Sequence, residues 1–76
     1  MRLQALIEAI MYDVASSNID SIGWENDVLE VKFKSGGIYE YDNVPESEFE
    51  DFLNASSKGR YFLHHIKNAY NYRKIN

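Results

Sequence analysis

"DVLEVKFKSGGIYEYDNV", residues 27–44, decides the fold. Leu29, Val31 and Phe33 alternate with Glu30, Lys32 and Lys34, the period of two that marks a strand with one buried face. Tyr39 and Tyr41 flank Glu40 after Ser35-Gly36-Gly37, so the stretch reads as a β-hairpin. The side-chain pattern also selects the turn. A three-residue connection at Ser35–Gly37, with Gly37 left-handed, sets Phe33 opposite Tyr39, Val31 opposite Tyr41 and Lys32 opposite Glu40. That arrangement has one apolar and one charged face. A two-residue turn at Ser35-Gly36 would place Tyr39 across from Lys32 on the polar face, so the longer turn is expected.

Working outward, "SIGWE" at residues 21–25 is another β-type run, and Glu25-Asn26-Asp27 supplies a turn, which makes a three-stranded antiparallel meander. Pro45 ends the sheet and suits a first helical turn. Glu46 and Glu48 favour the positive end of that helix, and Phe49, Phe52 and Leu53 form its buried stripe. "NASS" at 54–57 breaks it, and Ser56 or Ser57 caps a last helix running from Lys58 to Tyr70 or beyond. At the other end, Leu3, Leu6, Ile7, Ile10 and Met11 recur at helical spacing and predict a short amphipathic helix over 2–12. The expected fold class is α+β: a short N-terminal helix, a three-stranded antiparallel meander, and two C-terminal helices packed on one sheet face. Residues 1–13 read as an extension and 14–76 as the domain proper. Leu29, Val31, Phe33, Tyr39, Tyr41, Phe49, Phe52, Phe62 and Ile66 are the expected core.

Composition excludes several classes. With 76 residues the chain is near the lower limit for a self-sufficient core, and without cysteine it has no disulfide framework. His64 and His65 are adjacent and project ~100° apart on a helix, so they do not chelate as an i, i+4 pair; no metal or cofactor is expected. No serine or histidine sits in a context that supplies a base and an orienting group, and the carboxylates of "PESEFED" at 45–51 read as caps and solubilising charge. The chain is therefore expected to be non-catalytic. Gln4 and Glu8 interrupt the apolar run at the start, which argues against a secretory leader. No stretch approaches the ~20 apolar residues of a membrane span, so a cytoplasmic protein without membrane contact is expected.

Charge is unevenly spread. The net charge is −4, yet Lys58 to Asn76 contains no Asp or Glu and five of the eight basic residues. On a helical wheel Phe62, Ile66, Ala69 and Tyr70 fall on one side. Arg60, His64, Lys67, Asn71 and, if the helix extends, Lys74 fall on the other. With Tyr61 and Tyr72 flanking, this face could follow a phosphate backbone and offer rings to bases. The candidate nucleic-acid-binding residues are therefore Arg60, Tyr61, His64, Lys67, Asn71 and Lys74. Two plainer readings compete: a solvated face that complements the helix dipole, and internal neutralisation by Asp42, Glu46, Glu48, Glu50 and Asp51. Tyr39 and Tyr41 share a strand face, pointing to the core with hydroxyls at its rim.

Three stretches, "SSNIDSIGWE", "LEVKFKSGGIYEYDNVP" and "ASSKGRYFLHHIK", resemble the KTSC domain family, named for its occurrence at the C-terminus of some lysyl-tRNA synthetases. The resemblance spans Val14 to Tyr72. It is carried by the Tyr-x-Tyr of Tyr39 and Tyr41, by Ser57, Gly59, Tyr61 and Phe62, and by Ile66-Lys67. Trp24 stands where the family pattern has a tyrosine. The resemblance implies RNA as a ligand and implies no catalytic residue. The expectation is a small binding domain for RNA or single-stranded nucleic acid, working through the basic face of the last helix. The alternative is a protein–protein interaction or inhibitory module, using the acidic surface and the N-terminal helix to meet a larger protein or a second copy.

Overall fold

The computed structural model describes residues 9–76. Its elements are β1 (Met11–Asp13), β2 (Ile19–Glu25), β3 (Val28–Phe33), β4 (Ile38–Tyr41), α1 (Glu46–Asn54), α2 (Lys58–Tyr61) and β5 (Tyr72–Lys74), with α2 running on as a π-helical turn over Phe62–Ile66. The strands form one sheet in the order β1-β2-β3-β4-β5, every neighbour antiparallel. The expected three-stranded meander is thus the centre of a five-stranded sheet.

Both added strands correct the expectation. Met11 and Tyr12, assigned to the N-terminal helix, lie in β1 opposite Gly23 and Ile22; residues 2–8 of that helix lie outside the described residues. Gly23 admits β1, since a Cβ there would sit 2.6 Å from the Ile10 carbonyl oxygen. At the other end the last helix stops well short of Tyr70. The Lys67 N–H donates to the Phe62 carbonyl at 2.9 Å, the i→i+5 bond of a π turn. The chain then turns through 67–69 and pairs Tyr72, Arg73 and Lys74 with Tyr41, Glu40 and Tyr39. Strands of three residues are too short to show a period of two. Pairing selects them, not propensity.

The β3–β4 hairpin keeps the expected faces but shifts its register by two residues. Val31 stands opposite Tyr39, Leu29 opposite Tyr41, and Glu30, not Lys32, opposite Glu40. The left-handed residue is Gly36, at φ 109°, and the loop closes with Phe33 N–H to Gly37 O at 2.9 Å and Gly36 N–H to Phe33 O at 2.8 Å. A shift of two preserves which side each residue points to. The β2–β3 turn is tighter: Asn26 and Asp27 both have positive φ, as a two-residue hairpin turn of the I′ type requires.

The core consists of Ile19, Ile22, Leu29, Val31, Tyr41, Val44, Phe49, Phe52 and Ile66. Ile19, Ile22 and Val44 were not expected there. A bulge between Ile19 and Ser21 sets both Ile19 and Ile22 on the core side, which strict alternation forbids. Phe33, Tyr39 and Phe62, expected in the core, are half-buried against it. Trp24 lids the cluster and donates its indole N–H to the Val44 carbonyl at 2.7 Å.

Phe52 is fully buried. Truncation to alanine is expected to cost about 3–5 kcal/mol in chemical denaturation, and Phe62→Ala should cost clearly less because that ring is partly solvated. Equal losses would contradict this division of the core.

Candidate functional site

The five basic residues of the C-terminal quarter do not form one face. Lys58 donates to the Ala55 carbonyl at 2.5 Å, closing the end of α1. Arg73 is held by carboxylates of β4 and the residue after it. Arg60, Lys67 and Lys74 are exposed and have no ion-pair partner among the described residues. Arg60 in α2 and His64 in the π turn lie together beside the Ser56-Ser57 link, where the Ser57 hydroxyl accepts from the Arg60 N–H at 3.3 Å. Lys67 lies past the π turn at the opposite end of the helix. Lys74 is on β5, not on a helix at all. Asn71 is exposed, and its carbonyl accepts from the Asp42 N–H at 2.9 Å.

Tyr61 serves the fold. Its ring stacks on Phe52 at 5.4 Å and on His65 at 4.3 Å, and its hydroxyl donates to Glu48. Tyr70 donates to the other oxygen of the same carboxylate at 2.8 Å. Glu48 thereby ties α1 to the end of α2 and to the chain just past the turn that follows the π-helical segment. Burial, then the hydrogen bond to Glu48, pushes the Tyr70 phenol up to about 12 and raises Tyr61 as well.

What the tertiary structure does bring together is Lys67 and Lys74. They flank a cleft of about 470 Å³ between the β3–β4 loop, β4, β5 and the end of the π turn. Aromatic rings floor it. Phe33 meets Tyr39 and Phe62 edge-on at 5.7 and 5.4 Å; Tyr72 lies over Tyr39 and Tyr41 at 5.9 and 5.6 Å. Tyr41 is buried beneath, and that burial, followed by the neighbouring Tyr39 and Tyr72 phenols, pushes it up to about 12, so it remains a neutral phenol at physiological pH. Tyr72 keeps 58% of its surface exposed despite its two ring neighbours. Asn68, next to Lys67 within the turn, is the lining amide that the sequence reading passed over; its only signal was its place beside Lys67. Tyr39, Tyr41, Phe62 and Lys67, which come from separate stretches of the KTSC-like pattern, meet here.

The cleft depends on how β5 is held. Glu40 is fully buried and lies directly between Glu30 and Arg73 in the row of cross-strand partners. One guanidinium nitrogen of Arg73 sits 2.6 Å from a Glu40 oxygen as a charge contact without hydrogen-bond alignment. The other donates to both Asp42 oxygens at 2.7 and 2.9 Å. Among the described residues Glu30 has no such partner for its buried oxygen. Burial, and then the Glu40 charge, pushes its carboxyl above the ordinary range.

The family model of the KTSC domain matches residues 15–70. A crystal structure of a KTSC domain protein from Yersinia pestis superposes with a TM-score of 0.85 at 41% identity, covering 90% of this chain and 99% of that one. A protein of Stutzerimonas stutzeri is 43% identical over 49 residues, 62% of this chain and 69% of its own. A lysine–tRNA ligase of Nostoc punctiforme is 43% identical over 47 residues, so the chain spans only 8% of that relative's length. No helix among the described residues is long and apolar enough to cross a membrane.

Two substitutions test the row. Arg73→Gln leaves the Glu40 charge uncompensated; because the guanidinium is partly exposed, the loss is expected at about 2–3 kcal/mol, below that for a fully buried pair. Glu30→Gln acts the other way. A carboxyl whose folded pKa is raised stabilises only while protonated, so its cost appears as pH climbs from 4.5 through the folded value. The variant should melt higher than the parent at pH 7, with the gain vanishing below 4.5. A lower melting temperature at pH 7 would contradict the carboxylate conflict.

Proposed function

The chain belongs to the KTSC domain family, and from that premise we propose that it is a small non-catalytic binding domain for single-stranded RNA, working through the Lys67–Lys74 cleft. One observation carries this reading. Lys67 and Lys74 arrive from different elements and converge, without ion-pair partners among the described residues, beside an aromatic floor in a chain whose net charge is −4. Cations beside an exposed ring, Tyr72, suit a ligand that offers phosphate and an unstacked base together. The similarity to a segment of lysine–tRNA ligases supports RNA as the polymer. The site differs from the single basic helix face expected from the sequence: Arg60 and His64 are not part of its lining, and Tyr61 is occupied by its fold contacts.

The test is fluorescence anisotropy with labelled single-stranded and hairpin RNA of mixed sequence over a salt series. Affinity should fall with salt, log K changing by about −0.7 per contacted phosphate on a single strand. Lys67→Glu/Lys74→Glu should weaken binding at least tenfold with the melting temperature retained, and Arg60→Glu should have a smaller effect. Absence of binding at low salt would end the RNA reading. It would leave the exposed acidic residues of α1, Glu46, Glu50 and Asp51, as the surface for a protein partner.

A further inference from the structure

The cleft has a definite capacity. Its volume of about 470 Å³ falls at the small-ligand end of the ~300–1,000 Å³ range of binding pockets, too small for a run of bases. Its lining combines aromatic rings with two lysines. The rings of Tyr39, Phe62 and Tyr72 belong to its lining, and its two lysines, unpaired among the described residues, come from the turn after the π-helical segment and from β5. Tyr72 is the one ring of this set with most of its surface open, and its partners on the inner side, Tyr39 and Tyr41, fix its plane. Lysines grip phosphate as point charges and do not read base edges bidentately as arginine does. A cationic guest is disfavoured by the same two lysines, and a purely apolar guest would leave them unused.

We infer that the cleft is a site for one nucleotide unit, its base stacked on Tyr72 and its phosphate held between Lys67 and Lys74. This rests on the RNA reading above and sharpens it: the domain takes a single splayed-out nucleotide, and affinity for longer RNA comes from that one unit plus diffuse charge. Asn68, with a donor and an acceptor at the cleft wall, is the group placed to discriminate among bases. The same chemistry can come from a free nucleoside monophosphate or from an unpaired nucleotide within a strand.

Titration of the ¹⁵N-labelled protein with adenosine 5′-monophosphate, uridine 5′-monophosphate, adenosine and inorganic phosphate, followed by NMR, tests it beside the anisotropy of single-stranded RNA. The monophosphates should move the amides of Gly37, Tyr39, Asn68 and Tyr72 at one-to-one stoichiometry, and adenosine or phosphate alone should bind at least tenfold more weakly. Tyr72→Leu should weaken monophosphate and RNA binding roughly tenfold or more, and Tyr72→Phe, which keeps the ring, should retain both. RNA binding that is salt-dependent yet indifferent to Tyr72→Leu, with no monophosphate shifts in the cleft, overturns the one-nucleotide site and leaves the broader RNA reading standing. Monophosphate binding without RNA binding upholds the site with a free nucleotide as its source and removes the broader reading. Failure of both ligands overturns both.

Discussion

The guanidinium of Arg73 holds together the end of this molecule that carries the cleft. It reaches a fully buried Glu40 with one nitrogen and chelates Asp42 with the other. A buried carboxylate without a counter-charge is among the costliest defects a small domain can carry. The two acids of β4 and its exit therefore require β5 alongside, and β5 brings Tyr72 and Lys74 with it. Backbone bonds from a strand of three residues would be a weak tether by themselves. The charge cluster supplies what length cannot.

That arrangement also explains how an acidic chain presents a local basic site. Two of the five C-terminal cations are consumed internally, one on the Ala55 carbonyl just past α1 and one on the Glu40–Asp42 pair. Of the remaining three, two converge on a single cleft. The acids lie largely elsewhere, on α1 and in the carboxylate row behind the sheet. Net charge therefore says little about the local charge at either place.

The aromatic residues divide their labour by the same logic. Tyr61 and Tyr70 spend their hydroxyls on Glu48, which fastens α1 to the last helical segment. Phe52, Tyr41 and Ile66 close the core. Phe33, Phe62 and Tyr39 stand at its border, covered on one side and lining the cleft on the other. In a chain of this size the core and the site share walls, and a ring at the boundary serves both.

Much was legible in the residues alone: the central hairpin, the side of the sheet that Tyr39 and Tyr41 face, the Asn26-Asp27 turn, α1 with its Phe49 and Phe52 stripe, and the capping of α2 by a serine of the link. These depend on periodicity and on local backbone chemistry, which act within a few residues. The candidate site was legible only in pieces, Lys67 and Lys74 among them. Tertiary structure decided the rest. The bulge near Asp20 moved Ile19 and Ile22 into the core together, and left-handed Gly36 in place of Gly37 slid the hairpin by two and set Glu30 against Glu40. The π turn ended the last helix early, and Arg73 drew the following residues onto the sheet. Each of these is a choice between locally near-equal alternatives, settled by burial and charge pairing between residues far apart in the chain. It is at that level that two lysines seven positions apart come to face one cleft.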